Sequence, residues 1–182
     1  MTEAEKTALN DAIQDEYKAR ATYEKILDTF GDVRPFVNII NAEDRHVEAL
    51  VWLHERYGVP VPEDTWADKV PAYASLKEAA EAAVAAETEN GALFDELLKN
   101  VTNPEVRSVF EALQFATMEH HLPAFQRLVD YENGLNPSVD EFGRGSCYYG
   151  VPGAARRGAG MGAGYGRGRG AGFGAGVGRG AA

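Results

Sequence analysis

The chain has 182 residues, 45% of them hydrophobic and 25% charged, which is enough for one domain with a substantial core and short for two. No run approaches the roughly 18 consecutive apolar residues of a membrane span, and the acidic, polar start from Met1 to Glu5 is unlike a signal peptide, so a cytoplasmic protein without membrane association is expected. The single cysteine, Cys147, excludes an internal disulfide framework and every multi-cysteine zinc, rubredoxin or iron–sulfur site within the chain, leaving oxygen and nitrogen as the ligands for any metal.

Four helices are predicted in chain order. The first runs from about Thr2 to Phe30: Thr2 and Glu5 have the spacing of a capping box, and Gly31 is suited to ending a helix. The second starts near Pro35, whose missing N–H costs nothing in a first turn, and stops at Tyr57 before Gly58. A second capping box, Ser75 to Glu78, opens the third, which reaches about Asn100. The fourth is capped by Asn103 with Pro104 behind it and ends at Asn133-Gly134.

Apolar residues recur at three- and four-residue steps along each: Leu9, Ile13, Tyr23, Leu27 and Phe30; Leu50, Leu53 and Tyr57; Leu76, Ala80, Ala83, Phe94 and Leu98; Phe110, Leu113, Phe125 and Leu128. Short turns join helices one to two and three to four, whereas Gly58 to Ala74 forms a longer, proline-rich connection. One long crossover between two antiparallel hairpins is the ferritin-like connectivity, so the expected fold is an all-α, ferritin-like four-helix bundle over residues 1–134.

The halves overlay as a duplicated hairpin. Glu16-Tyr17 through Leu27 matches Glu87-Thr88 through Leu98, and Ala42-Glu43-Asp44-Arg45-His46 matches Thr117-Met118-Glu119-His120-His121. Glu16 lies three after Ile13 and seven before Tyr23, inside the apolar stripe; Glu87 lies four after Ala83 and seven before Phe94. Glu43 and His46 share the stripe of helix two, and His121 precedes Phe125 and Leu128. An isolated glutamate in a helix defaults to a solvated face, but these fall together on one core. Burying such carboxylates unpaired costs on the order of several kcal/mol each, which a pair of divalent metals offsets. Glu16, Glu43, His46, Glu87 and His121 are therefore the candidate ligands of two metal ions, iron first and manganese second, as oxygen and imidazole donors suit.

On Glu16-Tyr17-Lys18-Ala19-Arg20, Ala42 to His46 and His121-Leu122-Pro123-Ala124-Phe125, the chain resembles the ferritin-like superfamily of rubrerythrin-type di-iron bundles, and within it a family of uncharacterised bacterial and archaeal domains. The resemblance implies a buried metal site and relatives that are ferroxidases, peroxidases and oxygen-activating oxidases. The pattern departs at Met118, which stands where a second Glu-x-x-His would place its glutamate; Glu119 and His120 are second-rank candidates that a small rotation of helix four would exchange for His121. Tyr17 and Tyr23 are read as core residues before redox relays, His54 as structural or exposed, and Trp52 and Trp66 as packing residues.

The net charge of −10 is divided: all 28 acidic residues and 12 of the 18 lysines and arginines precede residue 143, giving that part −16, and six arginines follow. Sixteen of the 20 glycines also lie in this last part, whose composition cannot bury enough surface to offset ordering, so residues 135–182 are expected to be a disordered tail. Its Gly164-Tyr165-Gly166-Arg167-Gly168-Arg169-Gly170 mixes arginine and aromatics as nucleic-acid-binding arms do, though six charges beside an acidic body give only weak affinity. The function expected is that of a di-metal carboxylate protein reacting with oxygen or peroxide, with an external electron donor if it is a peroxidase, and a homodimer. The alternative is a non-catalytic metal-binding or scaffold bundle acting through its basic tail on nucleic acid or a protein.

Overall fold

The structure, a computed structural model, describes residues 1–135; the expectations placed on 136–182, the tail's disorder among them, lie outside the described residues. Helix α1 (Glu3–Phe30) begins at the predicted box: Thr2 Oγ1 accepts from the Glu5 N–H at 3.2 Å and Glu5 Oε2 from the Thr2 N–H at 2.9 Å. Helix α2 (Phe36–Tyr57) stops at Gly58, whose φ of 65° is the left-handed conformation that a residue with a Cβ adopts at a cost. Helix α3 (Leu76–Lys99) has half of its predicted box: Ser75 Oγ accepts from the Glu78 N–H, but the Glu78 carboxylate reaches past Ser75 to the Ala74 N–H at 2.9 Å.

Helix α4 (Pro104–Ala116), capped by Asn103 Oδ1 on the Glu105 and Val106 N–H groups, does not run straight into the predicted end. It widens into a π-helical turn over Thr117–His121 and resumes as α5 (Leu122–Glu132), so that the three pieces make the fourth helix of the bundle. No strand occurs among the described residues, and none of their helices is long and apolar enough to cross a membrane.

Helix α1 packs on α2, α3 on α5, and α1 on α3, with the Gly58–Ala74 crossover tied to α1 by Trp66 Nε1 donating to Gln14 Oε1 at 2.9 Å and by Arg20 with Asp64 at 2.7 Å. The core is in two parts. Leu9, Ile13, Leu50, Leu53, Phe94, Phe110 and Leu113 form one apolar cluster, and Tyr23, Ile26, Phe36, Ala80, Ala83, Phe125 and Leu128 the other. Leu27, Phe30, Tyr57, Leu76 and Leu98, also expected inside, are half-buried and pack against these clusters.

One buried charge holds the end of the bundle together. Besides its cap on α1, Glu5 accepts at Oε1 from the Thr102 N–H (3.0 Å), the Thr102 hydroxyl (2.9 Å) and the Asn103 N–H (2.8 Å), joining the start of α1 to the α3–α4 turn. The backbone N–H groups of Thr2, Asn103 and Thr102 hold its carboxyl down to about 2 from an ordinary 4.5. A lowered folded-state value means stabilisation that is full above about pH 4.5 and lost as pH falls towards 2. Replacing Glu5 by Ala should cost about 2 kcal/mol in urea unfolding at neutral pH, and the gap to wild type should narrow at pH 3; a gap unchanged between the two pH values would contradict this.

Candidate metal centre

Between the two apolar clusters lies a polar layer. It receives Glu16 from α1, Glu43 and His46 from α2, Glu87 from α3 and His121 from the π turn, so all five predicted residues are brought together. The three glutamates and His121 are each 4% exposed or less, which rules out the solvated-face reading for them, while His46 is half-buried. Seven-residue spacing explains the placement: each inward carboxylate is one heptad step from an apolar residue of the cluster above or below it.

The layer divides into two groups that share one residue. Glu16, Glu43 and His46 present ligand atoms within 4.8 Å of one another, and so do Glu43, Glu87 and His121. His46 Nδ1 lies 2.9 Å from Glu43 Oε2 and 3.2 Å from Glu16 Oε2. On the other side His121 Nδ1 lies 3.2 Å from Glu43 Oε1 and 3.5 Å from Glu87 Oε2. The two oxygens of Glu43 thus serve different groups, and the imidazole rings stack with centroids 5.4 Å apart.

Among the described residues, two buried side-chain atoms have no hydrogen bond, and both lie in this layer: Glu16 Oε1 and His121 Nδ1. His121 Nδ1 is close to two carboxylates, yet neither approach has hydrogen-bond geometry. Ligand atoms crowded to 2.9–3.5 Å, with His121 Nδ1 aimed at neither of its two carboxylates, have the spacing of donors around one cation, since bonds of about 2.1 Å at right angles place their ends about 3 Å apart. The donor set of carboxylate oxygen and imidazole nitrogen, with two orphaned atoms among them, fits a metal ion in each group.

The electrostatics agree with a cation-seeking pocket. Burial, then the charge of Glu43, pushes the Glu16 carboxyl well up, and burial raises Glu87. Burial also works to raise Glu43, but the two imidazoles beside it, His121 and His46, outweigh it and hold Glu43 at about 2. Burial opposes charge on both histidines, yet Glu16 and Glu43 raise His46 to about 9, and Glu43 and Glu87 raise His121 to about 10. Without metal, the layer balances its carboxylates with protons.

Helix four departs from the sequence reading at the site itself. An α-helix puts Met118 one turn before His121, but the wider π turn shifts the inward position by one residue, to Thr117. Thr117 is buried and donates to Asn90 Oδ1 at 2.7 Å, and Asn90 Nδ2 donates to Asp15 Oδ2 at 2.6 Å. Met118, Glu119 and His120 are exposed, so neither second-rank candidate enters the centre, and the Met118 thioether lies where a Cβ on Gly91 would collide with it. The chain Thr117–Asn90–Asp15 was not singled out from sequence, although Asn90, three after Glu87 and four before Phe94, sits on the stripe already identified.

Of the remaining residues, Tyr23 sits in the core and donates its hydroxyl to Glu87 Oε1 at 2.5 Å, fixing that carboxylate. The Tyr17 hydroxyl turns to the Pro62 carbonyl, away from the layer. His54 is fully buried and structural, with Nδ1 2.8 Å from the Leu50 carbonyl oxygen and Nε2 3.1 Å from Asn10 Oδ1. Trp66 packs the crossover as expected, whereas Trp52 is half exposed.

Residues 6–139 match the family described as uncharacterized protein domain DUF2202. The chain belongs to this family. Among solved structures, this DUF2202 chain is similar to the hypothetical protein MJ0754 from Methanococcus jannaschii, at 22% identity and a TM-score of 0.66 over 73% of this chain and 83% of that one. It is also similar to a conserved hypothetical protein, rv2844, from Mycobacterium tuberculosis, at 16% identity and a TM-score of 0.61 over 74% and 93%. At these identities the likeness is one of fold. No curated protein matches the DUF2202 chain.

Proposed function

We propose that the protein is a ferritin-like di-metal carboxylate protein in which Glu16, Glu43, His46, Glu87 and His121 hold two ions, iron first and manganese second, that react with oxygen or peroxide. The observation that carries this reading is the sharing of Glu43: its two oxygens serve separate ligand groups, each completed by one further glutamate and one histidine. Hard carboxylates with imidazole nitrogen suit these metals. When bound, the pair supplies one-electron chemistry and a place for an oxygen species.

The chain's own residues set the conditions for that chemistry. Glu43 ties the two positions together, Tyr23 orients Glu87, and the apolar clusters above and below exclude bulk water. Electrons for a peroxidase cycle would come from an external donor, because a single cysteine cannot hold an iron–sulfur or rubredoxin centre. In the ferroxidase version, iron(II) is itself the substrate.

Metal content decides the matter. Protein loaded anaerobically with iron(II) or manganese(II) and freed of excess should retain about two ions per chain, and His121→Ala about one. Less than one ion in the wild type, unchanged by His121→Ala, overturns the reading and leaves a bundle that acts through its tail.

A further inference from the structure

The two pieces of the fourth helix ask for different histidines. Counted forward from the buried Leu113 at the α-helical step, His120 falls within about 20° of the inward direction and His121 about 80° away from it. Counted back from the buried Phe125, His121 falls within about 40° and His120 about 140° away. The wide turn over Thr117–His121 favours His121, which is buried, while His120 lies on the surface with its ring edge-on to Phe115, centroids 5.4 Å apart.

The place of the turn has physical causes. A wide turn forfeits an ordinary helical hydrogen bond, because the Leu122 N–H reaches back five residues to the Thr117 carbonyl in place of four. Pro123 follows at once and has no N–H to give, so a bond is missing there at any pitch and the turn is least costly just ahead of it. The start of the turn is tied down. Thr117 is held through Asn90 to Asp15 of α1, and Gln114, three residues earlier, donates to the Gly91 carbonyl (3.3 Å) and to Asp95 (2.7 Å) of α3.

We propose that the wide turn is a histidine selector: fixed between the Thr117 tie and Pro123, it presents His121 to Glu43 and Glu87 and holds the adjacent, chemically identical His120 outside the centre. The proposal rests on the two-metal reading. Thr117 and Pro123 are accordingly positioning residues, since they act on the centre only through the direction of His121. A wide turn that formed beyond Pro123 would carry the register of α4 through to His120 and turn that imidazole inward. Removing one residue has a similar result by another route. Without His121, His120 stands four residues before Phe125, the place that His121 now holds, and three after Thr117, an ordinary α-helical step.

The test compares variants of the full chain loaded with cobalt(II) and freed of excess. Wild type and His120→Ala should hold about two ions per chain, and His121→Ala about one. Deleting His121 should restore about two, although the deletion removes the same imidazole as the substitution. Pro123→Ala combined with His121→Ala should also recover the second ion, because the wide turn is then free to move. A second reading is independent of capacity: diethyl pyrocarbonate should modify His120 in loaded wild type, whereas both rescued variants should protect it. A purely structural role for Pro123 moves neither reading. Cobalt in either rescue variant no higher than in His121→Ala, or a His120 that stays reactive in them, overturns the proposal and leaves the two-metal reading standing. Less than one cobalt ion in the wild type overturns both.

Discussion

Replacing Glu43 by Ala should empty the whole centre, whereas Glu16→Ala and Glu87→Ala should each empty one half of it. The asymmetry follows from geometry: Glu43 Oε2 faces His46 and Glu16, and Glu43 Oε1 faces His121. Removing it leaves each group with one carboxylate and one imidazole, two ligands where stable sites use at least three. Outer partners of metal ligands alone are worth roughly 10–100-fold in affinity, so losing a shared ligand should cost more than about 100-fold at both positions. Metal analysis after gel filtration should read fewer than about one ion per chain for Glu43→Ala and about one for each of the other two variants. Equal losses in all three variants would show that Glu43 is not the shared ligand.

Glu16→Gln should raise the stability of the metal-free protein while impairing its metal binding. Glu16 is 1% exposed, its Oε1 has no hydrogen bond, and burial with the neighbouring Glu43 charge pushes its carboxyl well up. A carboxyl raised on folding contributes fully below its ordinary value of 4.5 and loses that contribution as pH rises. Glutamine has the shape of the protonated acid and escapes the loss. In urea with a chelator at neutral pH, the variant should gain about 1–2 kcal/mol, and the gain should vanish below about pH 4.5, where the glutamate is itself protonated. With manganese at a hundredfold excess over its dissociation constant the order should reverse, since binding adds about 2.7 kcal/mol per site to wild type. If Glu16 served only as an ion-pair partner of His46, the metal-free variant would instead be less stable.

The boundaries of the helices were legible because they rest on local chemistry: Thr2, Ser75 and Asn103 cap with their own side chains, and Gly58 supplies a left-handed backbone. Glu16, Glu43, His46 and Glu87 were legible because a regular helix converts spacing into facing without ambiguity. Thr117 was not, because its facing depends on a change of pitch that no single residue announces. With a uniform α-helical period Met118 was the residue to examine, and the overlay of the two hairpins paired it with Glu43. A division of the core into two apolar clusters was implicit in the stripes, each of which is interrupted by a polar residue at the same level.

The π turn also sets where the bundle tolerates a change of length. Leu113, Thr117, His121 and Phe125 all face inward at uniform steps of four, although four α-helical residues overshoot a full turn by about 40°. The five wider residues take up that drift, so both apolar clusters keep their register across it. An inserted or deleted residue elsewhere in a helix turns everything beyond it by about 100° and carries a core stripe into water. At Met118, Glu119 or His120, on the exposed side of the turn, a deletion only returns the helix to its ordinary pitch, with Thr117 three residues before His121 and still inward. The segment is a joint at which this chain can lose one residue and keep His121 facing the centre.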